Sequence, residues 1–166
     1  MRRDNILHLF AYNTWANERI LAAAAGLSEA EYTADVPGLS HGSVRATLVH
    51  TLAAEIIWRR RCVEGVWPTT LLQAADVPTF AVLRQRWAAE DAALRQGVAG
   101  LTDEALAAPL AYKTTRGAPM TDTLWLILLH VLNHGTQHRA EAAVALTAFG
   151  RSPGDVDLIV YLREKQ

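Results

Sequence analysis

The residues best placed to do chemistry lie in His130-Val131-Leu132-Asn133-His134-Gly135-Thr136-Gln137-His138. Three histidines fall at i, i+4 and i+8. On a helix each step of four residues turns by only about 40°. His134 and His138 therefore share one face, one turn apart, and two imidazoles at that spacing can bind one metal ion. A pair is an incomplete site, so a third ligand must come from another element. The sequence offers His50, set among Ala46, Ala53, Ala54 and Ile57. A histidine amid small apolar residues in mid-helix points inward, and small neighbours allow another helix or a ligand to approach. The expected ligand set is His50, His134 and His138. The blander alternative is three ordinary histidines hydrogen-bonded in the core or at the surface. His130 lies about 80° around the helix from His138 and about 12 Å along its axis, too far to share an ion. It is expected outside the ligand set. His8 has no partner in sequence, whereas His41 sits in a loop that can approach the site.

Three neutral ligands leave the charge of a divalent ion intact and at least one coordination position open. Water bound there can act as hydroxide, and a thiol can be held as thiolate. Glu141, seven residues after His134, shares its face. It can orient a ligand or handle a proton, or be a solvated charge near a helix end. Glu55 and Glu90 are weaker candidates. The His-Glu-x-x-His, Glu-x-x-His, Gly-x-Gly-x-x-Gly and P-loop patterns are all absent. The single cysteine, Cys62, excludes a disulfide scaffold and fits a reducing compartment. It is expected to be packed, not nucleophilic.

The elements that must position these residues read as helices. Apolar residues recur at helical spacing from 4 to 25, with Gly26 placed to end that run. Ser28-Glu29-Ala30-Glu31 is a capping box for a short helix. A loop with two glycines and a proline follows at 36 to 43, and Ser43 can cap a second long helix at 44 to 64. After an irregular stretch, Thr79 can cap a third helix to about residue 97, and a helical turn fits 102 to 106. Tyr112, Thr114 and Thr115 with a turn at Arg116-Gly117 suggest a small hairpin over 110 to 120. Thr121 or Asp122 is expected to cap the fourth long helix, 122 to 148, which Gly150 stops. Ser152-Pro153-Gly154-Asp155 is expected to start a short last helix through Tyr161. The pattern predicts an all-α, up-down-up-down four-helix bundle, residues 1–166 forming a single domain, with long inter-helix loops that can roof one end. Tyr12, Trp15, Trp58 and Trp87 are assigned to the core, and Asn17 needs a polar partner inside it.

Hydrophobic residues make up 51% of the 166-residue chain, enough for a real core, and the net charge is −1. No basic tail stands out. Arg59-Arg60-Arg61 points in three directions on a helix and so makes no single basic face. A nucleic-acid partner is therefore not expected. No signal peptide or membrane-spanning run is found, which predicts a soluble, cytoplasmic protein.

The ordered combination of Tyr12-Asn13-Thr14-Trp15-Ala16-Asn17, Gly42-Ser43-Val44-Arg45, Leu48-Val49-His50, Glu55, Trp58, Asn133-His134-Gly135-Thr136-Gln137-His138-Arg139 and Pro153-Gly154-Asp155-Val156-Asp157 with Tyr161 resembles the DinB/YfiT-like family. The resemblance covers nearly the whole chain. It implies a four-helix bundle, usually a homodimer, whose histidine triad binds nickel, zinc or a similar ion, the matching residues being His50, His134 and His138. Ala140 departs from the glycine that many members carry there, which should leave the ligands unaffected. Some relatives look like transferases or isomerases that use low-molecular-weight thiols such as bacillithiol or mycothiol. The resemblance thus favours a metal-dependent thiol transferase acting on a small-molecule substrate. A metal-dependent hydrolase on the same site and a stress-related bundle with an inert metal are the alternatives. A fourth protein ligand, His41 or Glu141 close to the ion, would favour the inert bundle.

Overall fold

The computed structural model describes residues 1–165. The first helix, α1 (Arg3–Ala24), buries Ile6, Phe10, Asn13, Asn17, Ile20 and Leu21 on one side. Ser28 forms the expected capping box with Glu31 and starts α2 (Glu29–Thr33). Ser43 accepts the Ala46 N–H and starts α3 (Val44–Cys62). Thr79 does the same with Val82 for α4 (Phe80–Ala99), and Thr102 with Ala105 for α5 (Asp103–Ala107). In each case a side-chain oxygen replaces the backbone acceptor that a first-turn N–H lacks, which fixes the helix start locally. An antiparallel hairpin, β1 (Pro109–Lys113) and β2 (Pro119–Thr123), places Tyr112 opposite Met120. Its turn uses Gly117 at φ +82°, a backbone conformation open to glycine. α6 (Leu124–Ala148) and α7 (Leu158–Glu164) complete the chain.

Two boundaries differ from the sequence reading. Thr121 and Asp122 do not cap α6, because both are paired in β2. The strand runs straight into the helix. Thr123 occupies the N-cap without a side-chain bond, and the Leu124 N–H donates to the Ala108 carbonyl instead. The last helix begins at Leu158, not at Pro153. Gly154 takes φ +72°, and Asp155 accepts the Asp157 N–H at 3.0 Å, so 153 to 157 forms a turn.

The four long helices form a ring in which α6 and α4 each pack on both α1 and α3. The chain thus crosses the bundle between α1 and α3 and again between α4 and α6. Those crossings give a physical reason for two of the long connections; the third, 63 to 79, joins helices that are neighbours. One apolar cluster contains Ile20, Leu48, Leu52, Leu83, Trp87 and Leu146, and another contains Phe10, Leu94, Leu106 and Leu128. Along α1, α3 and α6 the two clusters are separated by buried polar residues, Asn13, Asn17, Glu55 and Arg139. Leu48 and Leu52 lie within the core of one chain, so they are not available to a dimer face. No helix among the described residues is long and apolar enough to cross a membrane.

Candidate metal centre

Four histidines from three elements converge. His50 stands in mid-α3, His134 and His138 on α6, and His41 on the loop before α3. The Nε2 atoms of His50 and His134 are 3.1 Å apart. Ring centroids are 4.4 Å apart for His134 and His138 and 4.7 Å for His50 and His138. His41 stacks on His50 at 3.9 Å, and the candidate ligand atoms of His41, His50 and His138 lie within 4.8 Å of one another. The three that meet this limit are His41, His50 and His138. The sequence-derived set has His134 in place of His41, and of its ligand atoms the His50–His134 pair is 3.1 Å apart. A three-histidine cluster able to coordinate a metal ion is present.

The donor chemistry fits a divalent ion. Two imidazole nitrogens on one tetrahedral zinc, each about 2.0–2.1 Å from it, stand about 3.4 Å apart. The His50–His134 separation is close to that. Burial, then the neighbouring imidazoles, push the pKa values of His50 and His134 down to about 4. Burial and His138 also lower His41. His50 and His134 are thus neutral at pH 7, with lone pairs free to ligate. His138 is buried, and its Nδ1 has no hydrogen-bond partner.

Glu141 is close to that orphan. Its Oε2 lies 3.4 Å from His138 Nδ1, without hydrogen-bond geometry. The same oxygen accepts the Ser40 hydroxyl at 2.7 Å and the Ser40 N–H at 3.4 Å. Burial raises the Glu141 pKa, but Ser40 and His138 outweigh it and hold the carboxylate below its ordinary range. Glu141 therefore ties the loop that carries His41 to the helix that carries His138. His41 was visible in the sequence only as a histidine in a nearby loop. Ser40 gave no signal, because its partner is decided by how the loop folds back on α6.

Cavities open beside the cluster. One of about 270 Å³ is lined by His50, His134, Ala54, Ile57, Trp58 and Arg61. A second of about 320 Å³ shares its Trp58, Tyr112 and His130 walls. Trp58 is thus a half-buried cavity wall, not the core residue expected from its type. Trp15 is also half-buried, and its indole N–H donates to Glu164 at 2.9 Å. Tyr12 and Trp87 are in the core. His130 is exposed, 5.9 Å from His134 between centroids, and packs edge-on to Trp58.

The other polar candidates are drawn into structure. Glu55 Oε1 accepts from the amides of Asn13 and Asn17 at 2.8 and 2.9 Å. Arg139 Nη1 donates to the carbonyls of the same amides at 2.6 and 2.9 Å. The two asparagines bridge a buried carboxylate and a buried guanidinium, which is the partner Asn17 needed. Gly135 makes room for it, since a Cβ there would lie 2.8 Å from Arg139 Nη1. Glu90 is paired with Arg59 at 2.5 Å. Cys62 is buried, and burial pushes its thiol up to about 12, so it is not a thiolate at neutral pH.

A bundle of long helices with a histidine cluster between two of them and the loop before α3 defines an all-α, metal-binding class of protein. Comparison with known proteins narrows the class to one family. The model of the DinB family matches residues 1–166. Protein DinB of Bacillus subtilis (strain 168) is 25% identical over 167 residues, covering 96% of this chain and 94% of its own length. The chain belongs to the DinB family.

Proposed function

We propose that this chain is a metal-dependent transferase that uses a low-molecular-weight thiol, with His50, His134 and His138 holding the ion. The observation that carries this reading is the cavity against His50 and His134, which gives a small molecule access to one side of the cluster. A divalent ion such as nickel or zinc would supply a positive centre that favours the thiolate over the thiol. The protein's own part is to keep its imidazoles neutral by burial and to fix their directions. Glu141 acts as a positioning residue through His138 and the Ser40 tether, since carboxylates behind a ligating histidine orient its ring. The thiol must come from outside the chain, because Cys62 is protonated and begins about 18 Å along α3 from His50.

One observation favours a second reading. His41 stacks on His50 within the cluster, and a fourth imidazole ligand would close the site and make the metal inert. Elemental analysis of wild type and four single alanine variants separates the two. The transferase reading expects stoichiometric metal in wild type and in His41→Ala, and its loss in His50→Ala, His134→Ala and His138→Ala. The cobalt form should then gain a sulfur-to-cobalt charge-transfer band on addition of a thiol. Loss of metal in His41→Ala, with no thiol perturbing the cobalt spectrum, would establish the closed site instead. Retention of metal in all the variants would defeat both ligand sets.

Homodimerisation belongs to the same proposal. Leu126 and Val144 on α6 are exposed, Val144 at 71%, and light scattering at micromolar concentration checks it. A monomer mass would remove the dimer without touching the site.

A further inference from the structure

Among the described residues, one buried charge near the cluster has no hydrogen-bond acceptor. Arg61 is 5% exposed. Among the described residues it makes no ion pair and no side-chain hydrogen bond, and its Nε and Nη2 atoms are buried without an acceptor. Its neighbours in sequence behave differently. Arg59 is bonded to Glu64 and Glu90, and Arg60 to Glu64. The Arg61 guanidinium lies instead against two rings, its Cζ 4.7 Å from the Trp58 centroid and 5.6 Å from that of Tyr112. Stacking stabilises the faces of a guanidinium and leaves its in-plane N–H donors unused. Burial lowers the Arg61 pKa, but from so high a starting point that the group remains a cation. A buried cation with idle donors is costly unless an anion completes it.

Arg61 lines the same 270 Å³ cavity as His50 and His134. His50, Ala54, Ile57, Trp58 and Arg61 fall at i, i+4, i+7, i+8 and i+11, one stripe of α3. The Arg61 backbone is about 16 Å along the axis from that of His50. Long helical side chains lean toward the N-terminus, which brings the guanidinium back to roughly 10 Å from the histidines. The opposite wall carries Thr114 and Thr115 from the hairpin turn. Thr114 Oγ1 accepts the Ala118 N–H at 3.1 Å, so its hydroxyl hydrogen is free to donate. Among the described residues, no acidic side chain lines this cavity. Asp122 lines the adjoining one, where it accepts the Tyr112 hydroxyl at 2.9 Å.

We propose that this cavity is a binding site for a small organic acid, with its carboxylate on the in-plane donors of Arg61 and its other end at the His50–His134 side of the cluster. An apolar or weakly polar spacer of about 8–10 Å lies along Ile57 and Trp58. Guanidinium is matched to a planar carboxylate by two parallel N–H···O bonds. The identity of the group at the far end rests on the transferase reading above, while the carboxylate end does not.

Two probes of equal length separate these parts: 6-mercaptohexanoate and 6-mercaptohexanol. Each is titrated into 15N-labelled zinc-loaded protein, following the Arg61 Nε–H and Trp58 indole resonances, and into the cobalt form, following its charge-transfer band. The acid should bind about tenfold or more tightly than the alcohol in wild type. That preference should vanish in Arg61→Gln and weaken in Arg61→Lys. The acid-against-alcohol comparison in wild type needs no variant, so it stands even if a substitution unsettles the Trp58–Tyr112 stack. Equal affinities for the two probes, or no shift of the Arg61 resonance with either, would overturn the carboxylate site. An Arg61 shift with the acid but no change in the cobalt band would leave the carboxylate site standing and sink the thiol reading.

Discussion

The same helices α3 and α6 carry two polar clusters with opposite characters. In the Glu55–Asn13–Asn17–Arg139 network opposite charges are bridged by amides at ordinary hydrogen-bond distances. Of the Arg139 nitrogens, only Nε lacks a partner. In the histidine cluster two Nε2 atoms face each other at 3.1 Å, His138 Nδ1 is orphaned, and a cavity opens alongside. A satisfied network stabilises and positions helices. An unsatisfied one stores binding capacity, because a ligand restores what folding left unpaired. Polar residues one turn apart on a helix thus divide by satisfaction, not by residue type.

The largest effect should come from breaking the satisfied side. Arg139→Met leaves the Glu55 carboxylate buried without its compensating cation, and should cost about 3–5 kcal/mol in urea unfolding of the metal-free protein. His134→Ala under the same conditions should cost about 1 kcal/mol, the worth of the single Nε2–Nε2 hydrogen bond it removes. Comparable losses in the two variants would erase the distinction. Zinc should raise the melting temperature of wild type and not that of His134→Ala.

A smaller effect is expected at Gly135, which sits between the clusters. Alanine favours a helix over glycine by about 1 kcal/mol. Its Cβ would lie 2.8 Å from Arg139 Nη1 and 3.2 Å from Asn13 Oδ1. Crowding of this kind costs about 1–3 kcal/mol, so Gly135→Ala should be net destabilising by about 1 kcal/mol. Metal stoichiometry of the folded protein should be retained. A more stable Gly135→Ala protein would show that the guanidinium has room to move.

A pH slope tests the same distinction. The folded pKa values of His50 and His134 are about 4, below the ordinary 6.5. Their contribution is fully present above pH 6.5 and is lost as pH falls toward 4, because the unfolded chain takes up protons that the folded one refuses. Glu55 works in the opposite sense, since burial raises its pKa despite the two amides and Arg139. Stability of the metal-free wild type should therefore fall more steeply between pH 6.5 and 4 than that of the His50→Ala, His134→Ala double variant. Parallel slopes would show that the cluster opens to water before it titrates.

The sequence by itself determined what is local. Helix starts followed from Ser28, Ser43, Thr79 and Thr102, each a side chain bonding an N–H three residues on. The His134–His138 face followed from 3.6 residues per turn. Where a tertiary contact competed, the local reading failed: Thr121 and Asp122 entered a strand instead of capping α6. Only the tertiary structure decided which distant groups meet. His41 reaches His50 because a loop closes and Ser40 ties it to Glu141. Glu55 meets Asn13 and Asn17 because α1 and α3 face each other across the bundle. Among the described residues, Arg61 is the one of three consecutive arginines left unpaired, because Glu64 and Glu90 lie within reach of its neighbours. Spacing along a helix fixes direction to within tens of degrees. Whether a side chain finds a partner there depends on chain segments brought in from far along the sequence, and no local pattern encodes that.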